Sequence, residues 1–580
     1  FSPMVDISRD PRWGRISEGS GEDAYLGSQI AKAMVYGYQK NDLSKEATLL
    51  SCVKHFALYG AVEAGRDYNT VDMSKVRMFN EYLPPFKAAI DAGAGSIMPS
   101  FNDINGIPAT ANKWLLTDLL RDQWGFEGLV VSDYTAISEL RNHGIGSTLQ
   151  DVSAQAINAG TDMDMVSNGY ASTLEKSVKS GKVSINTINQ ATKRILLAKF
   201  ELGLFDNPYQ YGDSEKAKTE VFSKEHRAFA RKVGADSIVL LKNNKNILPL
   251  KKSGTIALIG PLANNAVNMS GTWSVTADQD KAITLLSGLK QVAGNNTKIL
   301  YAKGSNLSYS VEFEKNATMF GKTLNRSKKS PEELRKEAVA IAKKSDVIIA
   351  ALGESAEMSG ESSSRSDISI PQAQKDLLKA LLKTGKPVVL VLFTGRPLVL
   401  TEEATTVPAI LNVWFPGSEA GLSIADVLFG DVNPSGKLTA TFPRNVGQIP
   451  IYYNHKNTGR PLTVNNCKFE KFHSNYLDVC NSPLYPFGYG LSYTTFKISK
   501  PKQSTSSIKG DEKITIKVKI KNTGKYDGAD VLQLYVHQKV RSITPPVKEL
   551  KKFEKVFLKK GETKTVTFTL DINDLKFYNN

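Results

Sequence analysis

Residues 128–134 read GLVVSDY and place a carboxylate at the tip of a short apolar run. Leu129, Val130 and Val131 suit a strand buried on both faces, and Asp133 follows at its C-terminal end. In a (β/α)8 barrel that end of the strand carries the chemistry. The same Asp also suits a helix N-cap, because a helical pattern begins at Ala136. Polar residues gather after other apolar runs as well. Arg9, Asp10, Arg12, Trp13 and Arg15 follow the first, Lys54 and His55 end the second, and Asn102 and Asn105 follow the third. On one barrel these would converge on one rim, where Arg, Lys and His would hold a polyhydroxylated ligand and keep a carboxylate ionised. Taken singly, each reads as a cap or as one half of a local ion pair. No Ser or Cys nucleophile stands at an elbow beside His55. Six histidines without paired spacing do not describe a zinc site, and no metal is expected. What remains is carboxylate chemistry, which needs a second carboxyl group near Asp133.

The elements that must position these residues follow from periodicity. Through residue 207, strand-like runs at 2–7, 49–56, 95–101, 128–133 and 161–165 alternate with helical patterns at 24–38, 76–92, 115–123, 152–158 and 188–202. Alternation of this kind means βαβ units and a parallel sheet. The units are fewer than a closed barrel requires, so the region is expected to be a barrel incomplete at its start. Residues 209–223 are polar and read as a linker. Further strands are expected at 255–260, 346–352, 387–393 and 410–414, in an open doubly wound sheet. Ser330, Pro331 and Glu333 mark a helix start as cap, first-turn proline and capping-box partner. No G-x-G-x-x-G follows the first of these strands, so a dinucleotide site is not supported. Residues 447–493 are irregular and aromatic. Beyond them, Ile514, Ile516, Val518 and Ile520 alternate with polar residues, and similar runs at 531–536 and 563–570 complete the pattern of an antiparallel β-sandwich.

Bulk properties narrow the function. At 580 residues the chain exceeds one core and implies several domains. A hydrophobic fraction of 41% with 23% charged residues is that of a globular protein. The formal charge of +16 raises nucleic acid as a partner. The lysines, however, are spread along the chain and interleaved with acids, so no nucleic-acid role is expected. The densest stretch, residues 548–564, alternates charge with Phe and Val like the solvated face of a strand pair. Cys52 lies in an apolar run and reads as buried and inert. Cys467 and Cys480 flank a polar loop and would pair in an oxidising compartment. The chain begins at Phe1 in a strand-like run and reads as a piece of a longer one.

Several long motifs carry a resemblance. DPRWGRISEGSGED from Asp10, KHFALYG from Lys54, GFEGLVVSDY from Gly125, ADVLFGDVNPSGKL from Ala425 and LYPFGYGLSYTTF from Leu484 resemble glycoside hydrolase family three, with periplasmic β-glucosidases of Gram-negative bacteria as the nearest branch. The resemblance implies a (β/α)8 barrel over 1–207, an α/β sandwich over 226–446 after a linker at 208–225, a connecting segment at 447–495, and a fibronectin-III-like domain at 496–580 that lacks its last strands.

The family cleaves β-linked sugars with retention of configuration. By the resemblance Asp133 is the nucleophile, and a Glu from a loop of the second domain is the acid/base. That loop, residues 353–370, reads GESAEMSGESSSRSDISI and would be a mobile element; spacing to Ile370-Pro371 selects Glu361, with Glu354, Glu357 and Glu139 as rivals. The two carboxyl groups are expected about 5–5.5 Å apart. Arg15, Lys54 and His55 match positions that bind the sugar in the −1 subsite, and Tyr134 would form a wall. Phe101 stands where many members have Tyr, which removes a hydroxyl contact. Trp273 reads as a stacking platform in the +1 subsite or as a core Trp. The expected activity is exo-acting hydrolysis of terminal β-D-glucosyl residues, without a cofactor, on small carbohydrate substrates in the periplasm or outside the cell. A homodimer is the candidate assembly, and no membrane insertion is expected. A β-xylosidase and a non-catalytic carbohydrate-binding protein on the same fold are the rivals. A hexosaminidase is disfavoured, because KHFALYG lacks the second His of that branch.

Overall fold

The computed structural model describes residues 1–318, 324–462 and 467–579. It contains two compact units. One comprises Phe1–Trp13, Glu18–Thr219 and Phe577–Asn580, and the other Gly14–Ser17 and Glu220–Lys576.

In the first unit, the strands Cys52–Phe56, Ser96–Pro99 and Leu129–Val130 form a parallel sheet in that order. Single parallel bridges extend it on both sides, from Lys54 to Met4 and from Val131 to Met163. The five apolar runs therefore lie side by side in chain order, as in a barrel wall. The first and fifth contribute one bridge each, and the fourth is only two residues long as a ladder, shorter than the alternation predicts. Val53, Ile97 and Val130 share a register row and have no exposed surface. Burial on both faces explains why these runs are apolar without alternation.

Side chains stitch helices to this wall. The helix Ala24–Gln39 starts where the Asp23 carboxylate accepts from Leu26 N at 2.7 Å. At its other end Gln39 Oε1 accepts from Ser51 N (3.0 Å) and Gly95 N (2.9 Å), the residues that open two strands. Asp162, buried, accepts from Val130 N at 2.9 Å and pairs with Arg121 and Arg194 at 2.7 and 2.8 Å. Two departures from the expected helices occur. Met78–Tyr82 and Trp114–Gln123 are wound as π-helix, and a helix at Gly169–Lys179 joins those expected. The supposed linker contains the helix Ser214–Glu220.

The second unit is built on a six-stranded sheet in the order Val239–Asn243, Ala409–Asn412, Val388–Phe393, Val347–Gly353, Gly254–Ile259, Thr297–Ala302. The first strand is antiparallel to its neighbour and the other pairs are parallel. Val388–Phe393 lies inside the sheet and is buried at every position. The helix Pro331–Lys343 begins with the capping box expected of it: Ser330 Oγ accepts from Glu333 N, and Glu333 Oε2 from Ser330 N.

The segment read as connecting is tied back to this sheet. Leu491 N donates to Leu240 O at 2.9 Å, and Phe442 bridges Tyr485. Cys467 and Cys480 are disulfide-bonded, while Cys52 is a buried free thiol.

The remaining strands are antiparallel. Ile514–Asn522 pairs with Thr563–Leu570, and Gly528–Val536 with Glu549–Leu558. Ile520, Leu532, Val556, Leu558, Val566 and Phe568 form their common core. The charged stretch 548–564 thus contributes Val556 and Leu558 to a core, and its lysines lie between such positions.

Candidate active site

Asp133 lies three residues past the end of its strand, Leu129–Val130. The backbone there is held from the fifth segment: Ser132 N donates to Met163 O at 2.9 Å, Met165 N to Ser132 Oγ at 2.8 Å, and Thr135 N to Met165 O at 3.0 Å. The following helix, Ala136–Glu139, has Thr135 at its cap position, in a left-handed conformation (φ +59°) that a β-branched residue rarely adopts. Asp133 is therefore not the cap of that helix. Its Oδ1 accepts from Tyr134 N at 2.7 Å, and Oδ2 lies 3.7 Å from His55 Nε2. His55 has no exposed surface, and the Asp133 side chain keeps 13% of its own.

His55 is itself gripped. Its backbone N donates to Asp6 Oδ2 at 3.0 Å, and its Nδ1 lies 3.0 Å from the same oxygen. Asp6, in the first apolar run, was not singled out by the sequence. The only hint was an acid inside an apolar segment, SPMVDIS. One edge of the imidazole meets the ring of Tyr59 at 5.2 Å, and Tyr59 in turn packs against Trp13 and Phe101. Phe101 also meets Tyr68 edge-on at 5.3 Å. Phe101 is thus part of an aromatic cluster around His55. Lys54 is half-buried in the same strand, and the Tyr134 side chain is 59% exposed.

Other strand-tip residues have partners of their own. Arg9 pairs with Glu81, Arg12 forks onto Asp10, and the Trp13 indole donates to Asp67 Oδ1 at 2.9 Å. Asn102 is buried and donates to Asp103 O, while Asn105 Oδ1 accepts from Met73 N.

Gly14–Ser17, of the second unit, carries Arg15, whose side chain is 1% exposed. Arg15 Nη1 lies 3.3 Å from Glu361 Oε1, and its guanidinium stands 5.9 Å from the centre of the Trp273 ring. Trp273 is 47% exposed, which removes the core-Trp reading. The loop bearing Glu361 rests on a buried clamp. Glu354, without exposed surface, meets Arg365 at 2.7 Å and Arg396 at 3.0 Å, and accepts from Thr394 Oγ1 at 2.8 Å. Arg396 continues to the backbone oxygens of Ser363 (2.7 Å) and Met358. Gly360, at φ +102°, donates to Gly14 O at 2.7 Å, and a Cβ there would fall 2.2 Å from Thr272 Oγ1. The loop is therefore pinned on both sides of Glu361, which differs from the free, mobile element its Ser/Gly composition suggests.

This geometry separates the rival carboxylates. Glu354 is committed to two arginines inside the protein, and Glu357 is buried in the turn Ala356–Met358. Glu139 accepts from Thr135 Oγ1 at 2.7 Å on its short helix. Glu361 keeps 22% of its side chain exposed, beside the Arg15 cation.

Comparison with known proteins decides the family. Residues 1–198 match the glycosyl hydrolase family 3 N terminal domain, and residues 238–493 the glycosyl hydrolase family 3 C-terminal domain. The chain is 49% identical over 582 residues to the periplasmic beta-glucosidase of Salmonella typhimurium, covering 100% of this chain and 76% of that protein. The chain belongs to glycoside hydrolase family 3. Within the family it is also 38% identical to a beta-xylosidase of Formosa agariphila, covering 100% of this chain and 78% of that protein. Among solved structures, the beta-glucosidase of Listeria innocua in complex with glucose superposes with a TM-score of 0.91 at 42% identity, covering 100% of this chain and 76% of that one. Its laminaribiose complex gives 0.92 at 42% identity, covering 100% and 77%. Residues 530–580 match a fibronectin type III-like domain, in keeping with the antiparallel strands there. This family 3 chain thus has a barrel-like N-terminal domain, an α/β sandwich with a mostly parallel sheet, and a fibronectin-III-like domain.

Proposed function

We propose that this chain is an exo-acting, retaining β-glucosidase in which Asp133 is the nucleophile and Glu361 the acid/base. The observation that carries the reading is the placement of His55 against Asp133: a strand-tip carboxylate, partly open, with a fully buried imidazole held at its side. The solved relative in complex with glucose and the periplasmic beta-glucosidase at 49% identity support glucose as the sugar.

In the first step Asp133 attacks the anomeric carbon while Glu361 gives its proton to the leaving oxygen, forming a glycosyl ester on Asp133. In the second, Glu361 takes a proton from water, the water oxygen bonds the anomeric carbon, and the ester's electron pair returns to Asp133. Arg15 orients the Glu361 carboxyl, Lys54 and His55 hold glycone hydroxyls, and Phe101 and Tyr134 supply apolar walls. Trp273 stacks on the sugar or aryl group that leaves. Substrates are short β-glucans and aryl glucosides. The enzyme works in the periplasm or outside the cell, a setting that the Cys467–Cys480 disulfide and the periplasmic relative support.

One experiment tests the roles together. Hydrolysis of 4-nitrophenyl β-D-glucoside is followed for wild type, Asp133→Ala and Glu361→Ala, with and without azide. Asp133→Ala is expected to be inactive. Glu361→Ala is expected to lose about 10²–10⁴-fold and to be rescued by azide with formation of β-glucosyl azide. Near-normal activity of Glu361→Ala would move the acid/base elsewhere. A second reading, β-xylosidase, draws on the relative at 38% identity. Preference for the 4-nitrophenyl β-xyloside would replace the substrate and leave the mechanism intact.

A further inference from the structure

Gln374 has no exposed surface, and its carboxamide is hydrogen-bonded to backbone at both ends. Oε1 accepts from Gly353 N at 2.8 Å, while Nε2 donates to Gly353 O at 2.9 Å and to Leu307 O at 3.0 Å. Only this orientation of the amide matches an N–H on one side and two carbonyls on the other. Gly353 is the last residue of its strand, and the loop bearing Glu361 leaves from there. The loop returns at Pro371, in the cap position of the helix Gln372–Leu382 that carries Gln374. One side chain therefore ties the exit of the loop to its return, 21 residues apart. Across the strand the exit is closed by Phe393 O, which accepts from Glu354 N at 2.8 Å and would stand 1.9 Å from a Cβ on Gly353.

This tie lies where the order of the parallel strands reverses. Thr297–Ala302 is on one side of Gly254–Ile259, and Val347–Gly353 with the strands after it is on the other. An open α/β sheet keeps its ligand crevice at such a reversal, past the carboxyl ends of the strands. Here the ladder between Gly254–Ile259 and Val347–Gly353 ends at Ile259 and Ala350, short of Gly353. Beyond it Gln374 spans from Gly353 to Leu307, which follows Thr297–Ala302. We propose that Gln374 is a positioning residue for general acid/base catalysis: by fixing the base of the 353–370 loop it sets where Glu361 presents its carboxyl. Its premise is that Glu361 is the acid/base. Protonating the leaving oxygen needs that carboxyl within hydrogen-bond reach, and a displacement of about 1 Å costs up to about 10²-fold.

The leaving group supplies the test. Gln374→Met, close in size but without a donor, is expected to lower kcat/KM for phenyl β-D-glucoside by about 10–100-fold. For 2,4-dinitrophenyl β-D-glucoside, whose leaving group departs without a proton, the loss should stay within about threefold. A smaller folded fraction lowers both alike, so equal losses overturn the proposal, as does no loss with either substrate. Gln374→Glu keeps an acceptor for Gly353 N and, ionised, offers no donor; it should show the same dependence in smaller measure. On a Glu361→Ala background, Gln374→Met should change kcat/KM for the phenyl glucoside less than about twofold, because its effect passes through Glu361. A further loss of about tenfold there overturns the proposal. In the wild-type protein, hydrogen exchange should find the Gly353 amide protected like the rest of its strand. Exchange as fast as that of an exposed loop overturns the proposal even if neither variant folds. If Glu361→Ala itself shows no leaving-group dependence, the acid/base assignment falls and the proposal with it. A dependence in Glu361→Ala without one in Gln374→Met overturns the proposal alone.

Discussion

Glu354 and Arg396, both without exposed surface, meet at 3.0 Å beneath the loop that carries Glu361. Removing Arg396 leaves Glu354 with Arg365 alone and strips the carbonyls of Met358 and Ser363 of a buried donor, which costs about 1–3 kcal/mol. Arg396→Ala is accordingly expected to lower stability by that amount in denaturant titration. Activity should fall through displacement of the loop and should not be restored by azide. Azide rescue of Glu354→Ala would show that the carboxylate does chemistry there instead.

Trp273 stands beside Arg15 and is half open to solvent. If it stacks on the leaving group, Trp273→Ala removes roughly 1–2 kcal/mol of binding, about five- to thirtyfold in KM for a β-linked disaccharide. Trp273→Phe should recover most of it. An unchanged KM for the disaccharide would take Trp273 out of the subsite.

Burial pushes the Cys52 thiol up to about 11. In the unfolded chain the thiol ionises near 8.5. Between these values only the unfolded state releases its proton, so stability from this group is intact below about pH 8.5 and declines by about 1.4 kcal/mol per unit as pH rises towards 11. A Cys52→Val variant should show a shallower alkaline decline in stability. In the native protein at pH 8, iodoacetamide should leave Cys52 unmodified over hours; rapid labelling would show an accessible thiol.

The Cys467–Cys480 bridge closes a short loop, and such bridges contribute about 2–4 kcal/mol. Non-reducing peptide mapping of protein exported to the periplasm should recover the two cysteines linked. Reduction should lower the melting temperature; recovery of both as free thiols would argue against an oxidising compartment.

The parts legible in the sequence were those determined by neighbours along the chain. Val388–Phe393 announces itself as an uninterrupted apolar run because it is covered on both faces, and Ser330, Pro331 and Glu333 cap a helix through contacts no more than three residues apart. The sheet edges were not legible. Val239–Asn243 follows a helix almost directly, with no turn residues to set it off, and Thr297–Ala302 is only partly buried, so its apolar pattern is diluted. The site divides the same way. Asp133 could be found from its place after a strand. Asp6 acts on a residue 49 positions away, and Arg396 on one 42 positions away, and nothing local records either pairing. The identity of the Glu361 loop came from resemblance, and its anchoring came only from the folded chain.

Neither compact unit is a continuous stretch of chain. Gly14–Ser17 packs with the second unit although Trp13 and Glu18 belong to the first, and Phe577–Asn580 returns to the first after the second is complete. On the ribosome, where N-terminal units fold first, the first unit emerges while the partner of Gly14, the Gly360 loop, is still unmade. Asn80 likewise waits for Tyr578, to which it is hydrogen-bonded through both its amide nitrogen and its carbonyl oxygen. The first unit therefore closes with residues translated only after the whole of the second.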